Sequence, residues 1–484
     1  MSFVSFSFAI LFLIFISLFH AASKLKKNAV LIQQVLVFLA SLVFYAWADL
    51  KFVPFLAYII VVTYFAGIVL NSDTLNFDGK GNKGRVIFFA FVAADLLPLL
   101  FFKYAPRNWH QKIIFPLGLS FITFQSLSYI IDCKTKKIQA EKNPFMTALF
   151  VSFFPVISLG PIQRPGNLIP QLKKEHKFNY EEAADGLRLF AWGAFKKFCA
   201  ADALASYVNY VYARGTVSER PAPALILAIV FFSFQLYMDF SGYSDMAIGV
   251  ARYMGFDIGT NFDHPYLAKS ITEFWRCWHI SLSTWLRDYV YFPLGGSRVP
   301  TARVYFNIIM TFLISGLWHG STWNFVIWGL LYGVYQSIER ALKSVTVKSK
   351  IPDFIKIIFT FCVVTLFAVF FRAETLPDAW NIVKGFGRLP RDIAVFISTK
   401  SQFGIKTALS NAFAIEYGFM NMFNRFVTLG IFICASVATR NKSGLEIIRS
   451  KPVAVRWAAY YALCLLIIYF FNTNLVTNFV YSNF

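Results

Sequence analysis

Apolar runs of membrane-spanning length follow one another along most of this chain. They lie near residues 2–22, 29–48, 52–70, 85–102, 113–131, 183–212, 222–252, 303–318, 321–340, 353–372, 419–438 and 453–471. A helix of about 20 apolar residues crosses the hydrocarbon of a bilayer, and a water-soluble core has no use for so many. Only 15% of the 484 residues are charged, against about 25% in soluble domains. The sequence therefore predicts an all-α polytopic membrane protein with about 11–13 transmembrane or re-entrant helices. No soluble-size insert separates the runs, so residues 1–484 read as one integral membrane domain. It divides into N-terminal helices over 1–131, a core over 145–340, and C-terminal helices over 353–484 with an outer loop at 373–418.

Forty-six Lys and Arg against 25 Asp and Glu give a formal net charge of +21. These bases cluster between the apolar runs. That is the pattern of cytoplasmic loops under the positive-inside rule, not of a nucleic-acid surface. Lys24, Lys26 and Lys27 follow the first run and place the N-terminus outside. Lys80, Lys83 and Arg85 fall inside, as do Lys134, Lys136, Lys137 and Lys142. Lys343, Lys348 and Lys350 do too, with Arg440, Lys442, Arg449 and Lys451. The alternation requires that the apolar segment 145–162, which ends in GPIQRPG, does not cross; it reads as re-entrant. Lys103, Arg107 and Lys112 fall outside against the rule. The first 24 residues lack the basic start of a signal peptide and read as a retained span. The six cysteines form no CxxC pair and mostly lie in apolar runs, which disfavours a disulfide framework or a zinc site.

Within FLISGLWHGSTWNFVIWGLLYG, residues 312–333, an imidazole sits in otherwise apolar sequence. An ionisable side chain at membrane depth is costly, which makes His319 a candidate functional residue by default. A neutral imidazole accepts a proton, as a general base must. Gly316 and Gly320 bracket it and permit close approach of backbone or ligand. Trp318, Trp323 and Asn324 stand nearby.

Residues 256–300 are too polar to cross and too aromatic for an ordinary loop. From 273 to 289 the spacing predicts one amphipathic, interfacial or re-entrant helix, part of a segment near 270–292. Trp275, His279, Leu282 and Leu286 share one face; Arg276, Ser283 and Arg287 share another. His279 is the second candidate histidine. His264 could supply a third metal ligand, but no tight ligand spacing supports a metal site. Gln235, Asp239, Asp245 and Arg252 lie in or beside the run at 222–252, where Asp239 and Arg252 could form partly buried ion pairs that hold the fold; this structural reading is preferred for Asp245 and Arg252 and left open for Asp239. No nucleophile elbow, Walker loop or dinucleotide fingerprint occurs in a suitable context. A transporter or channel is the non-enzyme alternative; the inverted repeats that would favour it are not evident.

Four stretches together resemble the membrane-bound O-acyltransferase superfamily: FFPVISLGPIQRP at 153–165, MDFSGYSDMAIGVARYMGF at 238–256, NFDHPYLAKSITEFWRCWHISLSTWLRDYVYFPLGGSR at 261–298, and GLWHGSTWNFVIWG at 316–329. The likeness is strongest to the bacterial group typified by the alginate O-acetylation membrane protein, and weaker to the D-alanyl transfer protein of teichoic acid synthesis. Cys277 stands where that pattern has a second Arg. The resemblance implies a ring of tilted helices around a central tunnel and acyl transfer to a hydroxyl. His319 falls on the family's near-invariant histidine and His279 on its second polar position. It further implies a bacterial cytoplasmic membrane location and a short acyl group, acetyl being the expected one. The donor would be cytosolic, acetyl-CoA or an acylated carrier protein, with no permanently bound cofactor. The acceptor would be an extracytoplasmic polysaccharide or wall polymer, reached through an SGNH-hydrolase-like acetyltransferase partner. On this basis Trp275, Arg276, Arg287 and Asp288 would line or gate the cytosolic mouth, with Arg276 and Arg287 on donor phosphates. Trp318, Asn324 and Asp239 would line the tunnel. Membrane lipids are partners and nucleic acid is not. D-alanyl or longer-chain acyl transfer to teichoic acid, lipid or protein is the alternative within the superfamily.

Overall fold

The computed structural model describes residue 3 and residues 5–25, 28–72, 82–105, 115–213, 217–342, 351–415 and 418–473. Lys26, Lys27, Lys80, Arg107, Lys112, Lys343, Lys348 and Lys350, used above for topology, lie outside the described residues, as does the start of the run at 113–131. Among the described residues all regular structure is helical. The bilayer core offers no water to the backbone, and a helix satisfies its own N–H and C=O groups. Eight of these helices are long and apolar enough to cross a membrane: 29–46, 50–70, 83–104, 222–253, 301–319, 353–372, 419–438 and 453–471. Each coincides with a run anticipated from the sequence.

The chain separates into two compact units, residues 1–190 with 243–261, and residues 191–242 with 262–484. In the first, α1 (Phe6–Ala22), α2 (Ala29–Ala46), α3 (Val53–Leu70), α4 (Asn82–Tyr104) and α5 (Leu119–Lys134) pack together. Tyr129 of α5 fills the space above Gly67 of α3, where a Cβ would come within 2.6 Å of its ring. Ser126 of α5 bridges Thr63 of α3 and the buried Asp95 of α4. The expected re-entrant segment is a short buried helix, α6 (Pro144–Ser152), capped by the Asn143 side chain. It ends at Phe153 and is followed by a single turn, Phe154–Ile157. Broken backbone is tolerated at membrane depth only where protein covers it, and here every residue from 146 to 157 is buried. After α7 (Pro165–Leu172) comes α8 (Tyr180–Ala194). Arg188 and Arg252 both reach Asp185, at 2.8 and 3.4 Å, so Arg252 has the ion-pair role expected of it.

The second unit carries the candidate site. A π-helical stretch, Phe195–Ala201, leads into α9 (Asp202–Val211). The long α10 (Ala222–Tyr253) follows. The amphipathic segment departs from expectation. Instead of one helix over 273–289 there are two, α11 (Ile271–Cys277) and α12 (Ile280–Leu286), and then a π turn over Arg287–Tyr291. The break is local. Trp278 is extended, and His279 takes the left-handed conformation at φ 43°, ψ 55°. Histidine is one of the few non-glycine residues that enter this region with any frequency. Ahead of the break, Ser270 caps α11 by accepting from the Glu273 N–H.

Next come α13 (Thr301–His319), α14 (Trp323–Ala341) and α15 (Asp353–Arg372). The outer stretch 373–418, expected as a loop, is largely helical: α16 (Leu376–Phe386) and α17 (Leu389–Ala412). Thr375 caps α16, and Pro377 and Pro390 sit in the first turns, where proline is pre-organised for a helix. The chain continues through α18 (Phe419–Ala438), α19 (Gly444–Arg449) and α20 (Val453–Thr473).

Candidate active site

The α13–α14 hairpin is closed by a seam of glycines. A Cβ at Gly316 would fall 2.3 Å from the Phe325 carbonyl oxygen, one at Gly329 2.4 Å from that of Phe312, and one at Gly333 2.8 Å from the Ile309 Cα. Backbone therefore lies on backbone, as in membrane helix pairs built on small residues. This contact sets the position of His319, the last residue of α13. Gly320 follows in extended conformation and turns the chain toward α14.

His319 is 4% exposed. Its ring meets Trp318, Trp328 and Phe371 edge to face, with centroids at 4.8, 5.0 and 5.3 Å. Asn324, buried in the first turn of α14, donates from Nδ2 to the Ala373 carbonyl at 2.6 Å and so ties the hairpin turn to the end of α15. The turn at 319–323 and the end of α15 thus gather at one end of the helices. Trp275 packs against Phe312, Trp328 and Tyr332, so it shares Trp328 with His319. Its buried Nε1 has no hydrogen-bond partner among the described residues.

His279 occupies the joint between α11 and α12, 1% exposed. Phe240 of α10 meets its ring at 4.6 Å and 86°, and Trp318 lies at 6.2 Å. One indole thus touches both candidate imidazoles. Burial among rings pushes His279 down to about 3 from the ordinary 6.5, so it is neutral at physiological pH.

Other expected site residues fall elsewhere. Arg276 and Arg287 are exposed, and Arg287 is held on Asp288 at 2.8 Å. His264 turns its two nitrogens to the Asp263 carboxylate and the Thr439 hydroxyl, at 2.8 and 2.7 Å. Asp239, for which an ion pair and a place in the tunnel lining were both open, pairs with Lys197 at 2.8 Å. Lys197 also reaches Asp202 at 2.9 Å, and all three side chains are at most 2% exposed. Neighbouring Lys196 donates to Ser241. Lys197 and Asp202 were missed in the sequence reading. The signal was two adjacent lysines in the middle of an apolar helix, where a buried cation needs a partner. This cluster rests on the π-helical stretch, an element that recurs at functional positions. Asp239 immediately precedes Phe240, so the ion cluster steadies the part of α10 that faces His279.

Comparison with known sequences identifies the family. The profile of the membrane-bound O-acyltransferase family matches residues 4–376, which include both histidines and the whole glycine hairpin. A probable alginate O-acetylase AlgI of Azotobacter vinelandii is 37% identical over 399 residues, covering 79% of this chain and 77% of the relative. A peptidoglycan O-acetyltransferase of Helicobacter pylori is 36% identical over 387 residues, 72% of each chain. A teichoic acid D-alanyltransferase of Bacillus subtilis is more distant, 29% identical over 287 residues, with 55% of this chain and 71% of the relative covered. With the family profile over residues 4–376, acetylating relatives aligned over 72–79% of its length and eight helices long and apolar enough to cross a membrane among the described residues, the chain belongs to the membrane-bound O-acyltransferase family, as a multi-pass membrane acyltransferase.

Proposed function

We propose that this protein transfers an acetyl group from a cytosolic thioester to a hydroxyl of an extracytoplasmic polysaccharide or wall polymer, or to a partner transferase serving that polymer. The observation that carries the reading is the setting of His319: a buried imidazole at a turn whose position is fixed by backbone contact, ringed by aromatics and linked through Trp318 to a second, neutral imidazole. The acetyl assignment draws on the acetylating relatives, which match more of this chain than the D-alanyl relative does.

The reaction follows from the chemistry of the two rings. A hydroxyl entering beside His319 gives its proton to the imidazole as its oxygen attacks the thioester carbonyl. The C–S bond breaks, and the proton passes from the imidazolium to the departing thiolate. Neutral His279 has one N–H to donate, which suits it to polarise the carbonyl and not to act as an acid. The aromatic surroundings exclude water, which would otherwise hydrolyse the thioester. The donor is acetyl-CoA or an acylated carrier protein. Arg276 is the better candidate for its phosphates, because Asp288 already offsets Arg287. An SGNH-hydrolase-like extracytoplasmic protein would complete transfer to the polymer. The bacterial cytoplasmic membrane is the expected site, with the basic residues 440–451 facing the cytosol and the 319–323 turn the other side.

General-base catalysis contributes about 10²–10⁴-fold. His319→Gln should therefore retain folding, by size-exclusion profile, and lose acetyl transfer from labelled acetyl-CoA by that factor. A folded His319→Gln protein of undiminished turnover would refute the role.

A further inference from the structure

Along α17 one apolar face is only partly covered among the described residues: Leu389 and Phe396 are half-buried, and Ile393, Ile397 and Phe403 are exposed. Leu389, Ile393, Phe396, Ile397 and Phe403 recur at helical spacing, while Arg391, Ser398 and Gln402 lie opposite. Ile397 is 61% and Phe403 68% exposed. Gly404, at φ 84° and ψ 167°, then bends the helix sharply. At the bend, Phe403 and the exposed Ile405 project between Lys400 and Lys406.

Both ends of this element are fixed at the level where membrane spans begin. At its start, Arg388 donates to the Ser218 and Arg220 carbonyls, and Asp392 accepts from the N–H of Ala222, the first residue of the α10 span. Past its end, the Phe413 carbonyl accepts from Tyr207 at 2.7 Å. The stretch after the bend, 405–412, is only about 12 Å long at 1.5 Å per residue. Lys406 also lies over the ring of Phe419, the first residue of the α18 span, at 5.8 Å. The bend is therefore held close to the mouth of two spans and cannot stand far off into water.

We propose that residues 389–406 form an interfacial anchor, lying in the membrane surface on the side where the 319–323 turn emerges. The apolar face sinks among the upper acyl chains, and Phe403 and Ile405 form the deepest point. Lys400 and Lys406 extend their apolar stems along that face and place their ammonium groups on lipid phosphates. Charge favours anionic headgroups. The tethering points to lipid over a protein partner: the bilayer is already present at the height at which both ends are held. The proposal is independent of the reaction assigned above.

The test places trifluoromethyl-phenylalanine at position 403 by amber suppression, and at 398 as the polar-face control, in full-length protein in phospholipid nanodiscs. Fluorine relaxation is read with dissolved oxygen and with a water-soluble gadolinium chelate. Oxygen, which partitions into lipid, should relax position 403 several-fold more than 398, and the chelate should do the reverse. Equal chelate relaxation at both positions would overturn the proposal. So would a discrete protein adduct, in place of a lipid adduct, from benzoylphenylalanine at 403 irradiated in whole membranes.

Discussion

The imidazole of His279 stays neutral in the fold and not in the unfolded chain, and this has a measurable sign. Its folded value lies at about 3 and its ordinary value at 6.5. Below pH 6.5 the unfolded chain therefore binds a proton that the folded one refuses. Stability falls as pH drops through that window and levels off near the lower value. Thermal unfolding in detergent should show a lower Tm at pH 5 than at pH 7.5, and His279→Asn should flatten that slope. An unchanged slope would count against the buried neutral ring. Lys197 gives a second residue-level expectation. Removing one partner from a buried ion cluster leaves an uncompensated charge, at about 3–5 kcal/mol. Lys197→Met should destabilise by roughly that amount, and adding Asp239→Asn and Asp202→Asn should recover a substantial part. Unfolding titrations of the single and triple variants measure the difference.

Among the elements, the α13–α14 hairpin shows how two local preferences compete. Replacing a helical glycine with alanine gains about 1 kcal/mol of helix propensity. At Gly316 the new methyl would meet a backbone oxygen at 2.3 Å, and overpacking of a rigid contact costs about 1–3 kcal/mol. The clash wins because the obstacle is main chain and has no rotamer to change. Gly316→Ala should lower Tm and activity together. Gly430→Ala, in α18 with nothing within 4 Å of the new atom, should leave Tm unchanged or raise it.

The elements also show what a one-dimensional pattern carries. Spans such as 353–372 and 419–438 coincide with their apolar runs to the residue, because length and hydropathy are what a bilayer selects. The break at Trp278–His279 left no trace, because Trp275, His279, Leu282 and Leu286 keep helical spacing straight through it. One left-handed residue redirects a chain without disturbing periodicity. The outer stretch 373–418 looked like a loop, since its apolar residues cover one face only and never reach span density. His319 stood out as a lone imidazole in apolar sequence. The Asp239–Lys197 pairing could not, because it joins residues 42 positions apart.

For the whole molecule, the distribution of charge makes a claim about sidedness. By chain order, with α13, α14, α15 and α18 each crossing once, the basic residues between α18 and α20 fall on the opposite side from the 319–323 turn. In proteoliposomes of defined orientation, acetyl-CoA should be consumed only when supplied to the face bearing Arg440, Lys442, Arg449 and Lys451. Product should appear only with acceptor on the other face. Equal turnover from either side would show that donor and acceptor reach His319 by a common entrance.

The glycine seam separates a frame from its walls. At Gly316, Gly329 and Gly333 α13 and α14 meet through main chain, so the seam that places His319 has no side chain of its own to enlarge or trim. On the proposed role of His319, the chain length of the acyl group would be set by the exchangeable rings around it, Trp318, Trp328 and Phe371. Descendants of this fold that accept bulkier acyl groups would be expected to shave those rings and leave Gly316, Gly329 and Gly333 alone.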